Sequence, residues 1–384
     1  MGSDDGPTVL GVERVYNPHT LPIFDALRSH AGLRFTGCVL EPLKPWRVQL
    51  GWPELAPDAP HLQPWRSAAD CRRYRELVRA ADIVIWPGLK FRRSVRLILG
   101  RLRRGQLNVV WAERFREKRE RRWYETLSMK AVVRLLNSPR VHLMALGEGA
   151  AEDYRAYGAT RWKAWRFGYA VTPVKPLVRS PTPAPDGRLR LLYVGALRSK
   201  KGVDVLLRAL GSSELVGGRW RLKIVGDGKE RAELQALAAA LGIAGQVEFA
   251  GVVRHDRIGA VYCDSDVLIL PSRYEGWGAV VNEAMEHALA VVVSDGAGCA
   301  RMLIDHGRTG FVFPRGDVES LAGYLKRLIA QPAEAATFGL AGRARIAAFR
   351  PDVIADRAAR LFRGLTGHDP LPEFADGFCA AVRG

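Results

Sequence analysis

Two hydrophobic rhythms alternate along the whole chain. Short apolar runs read as strands: TVLGVE (8–13), LRFTGCVL (33–40), DIVIW (82–86), NVVWA (108–112), VHLMAL (141–146) and KAWRFG (163–168) in the first half. LRLLYVG (189–195), WRLKIVG (220–226), QVEFAG (246–251), DVLILPS (266–272), AVVVSD (290–295) and GFVFP (310–314) follow in the second. Between them lie stretches with apolar residues at helical spacing, such as VDVLLRAL (203–210) and KERAELQALAAALG (229–242). Strand–helix alternation with continuously apolar strands predicts parallel, doubly wound α/β sheets. Two series of six strands predict two Rossmann-like domains rather than one sheet.

The segment TPVKPLVRSPTPAPDGR (172–188), with five prolines and one glycine, reads as the linker. It sets an N-terminal domain at 1–172 and a second domain at 173–350. A tail at 351–384, helical and then irregular, is expected to return to the first domain. Pro42, Pro45, Pro53, Pro57, Pro60 and Pro64 mark a long irregular insertion after the second strand. Two such domains facing each other make the cleft between them the default site. In open parallel sheets ligands bind beyond the carboxyl ends of the strands, so the loops after the strands should carry the chemistry.

Composition narrows the class. With 384 residues, 48% apolar and 26% charged, the chain is not a largely disordered one. No window approaches the ~18 uncharged apolar residues of a membrane span. The N-terminus lacks the basic and apolar regions of a signal peptide. Cys38, Cys71, Cys263, Cys299 and Cys379 are odd in number and show no zinc-like spacing, so a reducing cytoplasm is the expected compartment. The net charge is +18, of which residues 1–172 hold +13 and residues 173–384 hold +5. Residues 90–140 alone carry 16 basic and 4 acidic side chains. One face of the first domain is therefore electropositive, suited to an anionic membrane, nucleic acid or a phosphorylated ligand.

Four loops carry candidate chemistry. VGALRSKKG (194–202) turns at Gly195 and crowds Arg198, Lys200 and Lys201 ahead of a helix beginning near Gly202. Cations beside helical N–H groups suit a phosphate, although a solvated basic turn has the same composition. VGDGKE (225–230) puts Gly226 and Gly228 where backbone can approach a flat base or ribose; Gly-Asp-Gly is also an ordinary turn. PSRYEGWGAVVNEAM (271–285) is the most informative. Glu275 sits in the loop before a helix starting around Gly278, and Glu283 lies over a turn into that helix. Gly276, Trp277 and Gly278 offer backbone N–H groups at the helix N-terminus, favourable for an anionic oxygen. DGAGCARML (295–303) is a glycine-rich turn at the same sheet edge. Asp264 and Asp266 have metal-type spacing, but they cap one helix and open the next strand, so the pair reads as structural and no metal is expected.

In this order and spacing, VGALRSKKGVDVLLRAL, LKIVGDG, VEFAG, DVLILPSRYEGWGAVVNEAM, VVVSDGAG and GRTGFVFPRGD resemble the donor domain of family 4 retaining glycosyltransferases of the GT-B fold. NPHTLPIFDAL, ADIVIWPG and LNVVWAERF resemble, more distantly, the acceptor domain of bacterial members. The resemblance implies a sugar moved from a UDP- or GDP-sugar to a glycan, lipid-linked or small-molecule hydroxyl. It implies that Glu283 binds the nucleotide ribose, that Glu275 faces the transferred sugar, and that Lys201 clamps the diphosphate. The family's arginine after the first glycine is Ala196 here; Arg198 or Lys200 supplies the charge from the same loop. The usual Cys-Gly-x-Pro after the second glutamate is His287, Ala288, Leu289 and Ala290, and the usual double glycine of the first loop is Asn17, Pro18 and His19. On the acceptor side, His19 and Glu113 follow strands and are candidates to meet a hydroxyl; Glu113 could equally pair with its neighbour Arg114. Fixed cationic and N–H donors stabilise a leaving diphosphate without metal; of the two routes to retention, a covalent intermediate and same-face attack with the phosphate as base, the second is expected.

Residues 113–130, ERFREKRERRWYETLSMK, read as one long helix with Phe115, Trp123 and Leu127 on one face among cations. Such a helix suits the interface of an anionic membrane, with the protein cytoplasmic and peripheral on the inner face of the cell membrane, and it equally suits a core-facing helix whose outer face is merely charged. A nucleotide-sugar epimerase or hydrolase is the alternative on the same fold. A nucleic-acid-binding protein is a weaker one, suggested by charge alone, because no recognised module accompanies it.

Overall fold

The computed structural model describes residues 6–89, 92–115, 123–147, 149–173 and 184–373. The chain divides into two compact units. One comprises Met1–Val48, Pro53–Thr172 and Phe349–Gly384; the other comprises Gln49–Trp52 and Pro173–Ala348.

The first unit runs β1 (Thr8–Glu13), α1 (Leu21–Arg28), β2 (Arg34–Val39), α2 (Pro45–Gln49), α3 (Ala68–Ala80), β3 (Ile83–Pro87), α4 (Arg92–Arg103), β4 (Leu107–Glu113), α5 (Trp123–Leu135), β5 (Val141–Leu146), α6 (Ala150–Ala156) and β6 (Lys163–Phe167). Its strands lie in the order β2-β1-β3-β4-β5-β6, all parallel. The order reverses between β1 and β3, which makes that gap the switch point of the sheet. Strand alternation sorts the side chains. Leu10, Val12, Val84, Trp86, Val110 and Leu143 face one core. Phe24 of α1, Phe35, Trp111 and Phe167 pack ring against ring on the other face. Gly11 belongs to that second face, where a Cβ would stand 2.4 Å from the Phe35 ring.

Arg101, at the end of α4, has no exposed surface. Its guanidinium donates to the carbonyls of Val78, Ala81 and Leu107 at 2.7, 2.8 and 2.9 Å and to Asn108 Oδ1 at 3.1 Å. It thereby closes the C-terminal end of α3, whose last carbonyls lack helical partners. Burial lowers its pKa to about 10.

The second unit contains β7 (Leu189–Val194), α7 (Val203–Leu210), β8 (Trp220–Val225), α8 (Arg231–Ala240), β9 (Val247–Gly251), α9 (Ile258–Cys263), β10 (Val267–Leu270), α10 (Ala279–Glu286), β11 (Ala290–Ser294), α11 (Ala300–Leu303), β12 (Gly310–Phe313), α12 (Val318–Ala330) and α13 (Pro332–Ile346). The strand order is β12-β11-β10-β7-β8-β9, again all parallel, with the switch point between β7 and β10. The chain then enters α14 (Pro351–Leu365), which belongs to the first unit and packs against α1. Ile354, Ala358, Leu361 and Phe362 form its buried stripe.

The single long helix expected over 113–130 does not form. Glu113 is the last residue of β4, Arg114 and Phe115 are not helical, and the described helix of this stretch is α5 from Trp123. Residues 116–122 and the Trp123 side chain lie outside the described residues. Phe115 is drawn into an aromatic cluster, with ring centroids 4.3 Å from Tyr154 and 4.5 Å from Tyr157. Its burial there outweighs the helical spacing it shares with Leu127, which is 55% exposed. No helix of the described residues is long and apolar enough to cross a membrane.

Candidate active site of the second unit

The loops after β7 and β8 touch backbone to backbone, and glycine is what lets them. Gly226 has φ 133°, and a Cβ on it would stand 1.9 Å from the Gly195 carbonyl oxygen. A Cβ on Gly228 would meet the Leu197 carbonyl at 2.2 Å, and one on Gly202 the Pro271 carbonyl at 2.0 Å. Hydrogen bonds from Gly195 N to Val225 O (2.9 Å) and from Leu197 N to Asp227 O (3.0 Å) stitch the two loops together. Packing alone thus explains why these positions carry no side chain.

The loop that follows β10 is held on both sides. Toward α7, Tyr274 N donates to Lys200 O at 3.2 Å, and Arg273 forms a bidentate pair with Asp204 at 2.7 and 2.6 Å. Burial pushes the Asp204 carboxyl up, and the two Arg273 bonds outweigh it and hold the group below the ordinary carboxylate range. Toward β11, Glu275 N donates to Gly296 O (2.9 Å) and Gly298 N donates to Glu275 O (3.1 Å). The clamped loop points Glu275 back at the turn after β7, where its Oε2 accepts from Lys201 Nζ. Both side chains are about four-fifths buried. Cation and carboxylate therefore meet at the carboxyl edge of the sheet, at the switch point between β7 and β10.

The other expected residues divide. Arg198 is exposed and has no ion pair among the described residues, whereas Lys200 Nζ lies 6.0 Å over the Tyr274 ring. Gly276 and Gly278 are buried where the loop enters α10, whose N-terminus has no side-chain cap. The Trp277 indole is turned into the core and donates to Asn282 Oδ1 at 2.8 Å. Glu283, one turn into α10, accepts from the Tyr262 hydroxyl at 2.6 Å. Burial raises its pKa, with Tyr262, His255 and His287 acting the other way. Ala288 takes a left-handed backbone (φ 56°) at the end of α10. Asp266 is fully buried and takes the Arg190 guanidinium through both oxygens, at 3.0 and 2.7 Å, with Asp264 at 3.3 Å. Among the described residues no three His, Cys, Asp or Glu side chains gather as metal ligands.

In the first unit, Glu113 Oε1 accepts from the Tyr169 hydroxyl at 2.8 Å, and Arg114 pairs instead with Asp153. His19 lies beside the Tyr169 ring, and burial lowers its pKa to about 4, so it is neutral at physiological pH. Sequence reasoning passed over Glu13 and Tyr169, and also Arg273, Asp204 and Tyr262. Arg273 stands inside the quoted β10 loop, two residues from Glu275. The others have no local signal, because each is identified by a partner distant in the chain.

Residues 174–345 match the family model of glycosyl transferases group 1. The alpha-D-kanosaminyltransferase of Streptomyces kanamyceticus is 33% identical over 147 residues, 38% of this chain and 38% of that one. A GDP-mannose-dependent alpha-mannosyltransferase of Mycolicibacterium smegmatis is 29% identical over 246 residues, 63% of this chain and 62% of that one. The match spans about two-fifths of the length of the first curated relatives. Among solved structures, sucrose-phosphate synthase from Thermosynechococcus elongatus aligns with a TM-score of 0.66 at 18% identity, covering 94% of this chain and all of that one. Anabaena HepE in complex with UDP aligns with a TM-score of 0.67 at 16% identity, covering 93% of this chain and all of that one. The chain shares the GT-B-type fold of these proteins.

Proposed function

We propose that this chain is a retaining glycosyltransferase of family 4 that moves a sugar from a UDP- or GDP-sugar to an acceptor hydroxyl. The observation that carries the reading is the Lys201–Glu275 contact at the switch point of the unit that matches the glycosyltransferase family model. The donor bases are supported by what two similar proteins are named for, GDP-mannose in one and UDP in the other.

Cleaving a sugar–diphosphate bond builds positive charge at the anomeric carbon and negative charge on the leaving phosphate. Lys201 and the exposed Arg198, beside the uncapped N-terminus of α10 at Gly276 and Gly278, supply the cationic and N–H side of that separation. Each fixed donor is worth ~3 kcal/mol of barrier by analogy with oxyanion-hole residues, so the reading needs no metal. Glu275 faces the sugar, and in the ligand-free protein it holds Lys201 in place. Glu283 takes the ribose, with Tyr262 fixing its carboxylate. Gly195 and Gly226 let the β7 and β8 loops close under the nucleotide. Attack comes from the face the diphosphate leaves, which retains configuration. The acceptor belongs to the first unit, with His19 and Glu113 on that side. Its basic stretch, 90–140, meets a glycan or lipid-linked acceptor at an anionic membrane surface.

Donor turnover and nucleotide affinity test the assignment together. Glu275→Ala abolishes transfer while nucleotide still binds; wild-type turnover in that variant would remove Glu275. Lys201→Ala weakens donor binding at least tenfold, the scale of one charge-assisted bond. Unchanged donor affinity would remove Lys201.

A further inference from the structure

The strands of the second unit begin at a cluster of cations that the transfer chemistry does not use. Leu189, Leu191, Trp220 and Leu222 belong to the core on one face of the sheet, so Arg190, Arg221 and Lys223 project from the other. The register pairs Arg190 with Arg221 across β7 and β8, and Lys223 with Glu248 across β8 and β9. Together with Arg188, the residue before β7, they line a cavity of about 250 Å³ at the amino edge of the sheet. The loops of the candidate active site follow the carboxyl ends of the strands, at the opposite edge. The neutral polar groups of the cavity have their protons committed. Gln246 Nε2 donates to the carbonyls of Gly218 and Trp220 at 2.9 and 3.1 Å, and Ser265 Oγ donates to Val261 O at 2.7 Å. Two carboxylates also line it, Glu248 and Asp264. Lys223 Nζ lies 3.3 Å from Glu248, and Arg190, 3% exposed, is held by Asp264 and the buried Asp266. Arg188 reaches Asp186 only at 3.9 Å on the exposed rim, where an ion pair is worth little. Arg221 is exposed and has no ion pair among the described residues. The donors left for a ligand are therefore guanidinium groups.

We propose that this cavity binds a phosphate group, free or carried as a monoester by a small molecule, with Arg221 as its main contact. The site is independent of the transferase reading. At neutral pH a phosphate monoester carries nearly two negative charges and three strong acceptor oxygens. Arg221 meets it with a planar fork of N–H donors, Arg188 joins from the start of β7, and Lys223 from further along β8. Cations on two strands reach a tetrahedral group from different sides, whereas a planar carboxylate has only two oxygens to share among them. Arg190 keeps its bonds to Asp264 and Asp266 and closes the wall. The cavity is smaller than the ~300–1,000 Å³ of sites that enclose drug-sized ligands. It therefore takes a phosphate with a short organic group and not a nucleotide sugar.

NMR titration of the full chain with inorganic phosphate and with glycerol 3-phosphate tests the site, with glycerol as the uncharged control. Both phosphates bind in the millimolar range, glycerol does not, and the backbone signals of Arg221, Gln246 and Ser265 shift. Arg221→Gln weakens phosphate at least tenfold, the scale of one bond between charged groups, and keeps the rest of the amide spectrum because the side chain is exposed. Lys201→Ala leaves the binding intact, since Lys201 stands at the opposite edge of the sheet. Tighter binding of the monoester names a small phosphorylated molecule as the ligand, and equal or weaker binding names free phosphate; both support the site. Absence of binding by both phosphates, equal binding of glycerol, or equal affinity in Arg221→Gln overturns the proposal. So does loss of binding in Lys201→Ala with retention in Arg221→Gln, which places the anion in the loop after β7 instead.

Discussion

At the scale of single residues, the chain places charge in two opposite ways. Lys201 and Glu275 lie against each other, so each largely enclosed side chain faces an opposite charge. Glu13 has no ion pair among the described residues, and burial instead raises its pKa from 4.5 to about 7. A carboxyl raised from 4.5 in the unfolded chain to about 7 in the fold leaves stability untouched below pH 4.5. Above that the group destabilises the fold progressively, and in full above pH 7. Glu13→Gln removes the penalty. We expect it to raise stability by up to ~3 kcal/mol at pH 8 and to leave it unchanged at pH 4, measured by urea unfolding at both pH values. A uniform effect at both would mean that packing, not the proton, is what changed.

At the scale of elements, the working parts are loops whose shape is dictated by their neighbours. The sequence presents Gly226 as a place where backbone can approach a ligand. The structure shows what already lies there, the Gly195 carbonyl 1.9 Å from any added Cβ. Gly226→Ala should therefore lower stability in the absence of nucleotide by ~2 kcal/mol or more, read as a lower melting temperature, since both the left-handed φ and the collision must relax. A variant of wild-type stability that merely bound nucleotide less well would point to the ligand instead. The stretch 113–130 teaches the converse. Its periodicity is real as a pattern but spans the end of β4 and the start of α5, because the aromatic cluster around Tyr154 and Tyr157 captures Phe115. Period alone does not reveal where a strand hands over to a helix when an apolar residue has two places to be buried.

At the scale of the whole molecule, the chain returns at its end to the unit in which it began. α14 lays Ile354, Leu361, Phe362 and three alanines into buried positions, packing against α1. Each large side chain contributes ~2 kcal/mol by burial, a total comparable with the stability of an ordinary domain. Truncation after Arg350 should unfold the first unit and leave the second cooperative, seen as loss of one transition in calorimetry; two intact transitions would refute it. The charge is as uneven as the fold is even, with +13 in residues 1–172 against +5 in the remainder. On α5, Tyr124 and Leu127 are exposed within the basic stretch. Co-sedimentation should therefore recover the protein with anionic vesicles at low salt and release it as salt rises. Equal recovery with neutral vesicles would exclude an electrostatic surface.

What the sequence by itself determined is what repeats along the chain: twelve apolar strands in two parallel series, the loops after them, and the order of the glycine and glutamate motifs that fill those loops. These are local, since a strand's apolar run and a glycine turn declare themselves within a few residues. What only the tertiary structure decided is which distant groups meet. Lys201 lies against Glu275, 74 residues on, and Glu113 against Tyr169, 56 residues on. The Glu13 pKa is raised because strands far apart in the chain bury it where they end side by side. Protonation, pairing and burial depend on neighbours brought together by sheet order and register, and neither is written in any one segment.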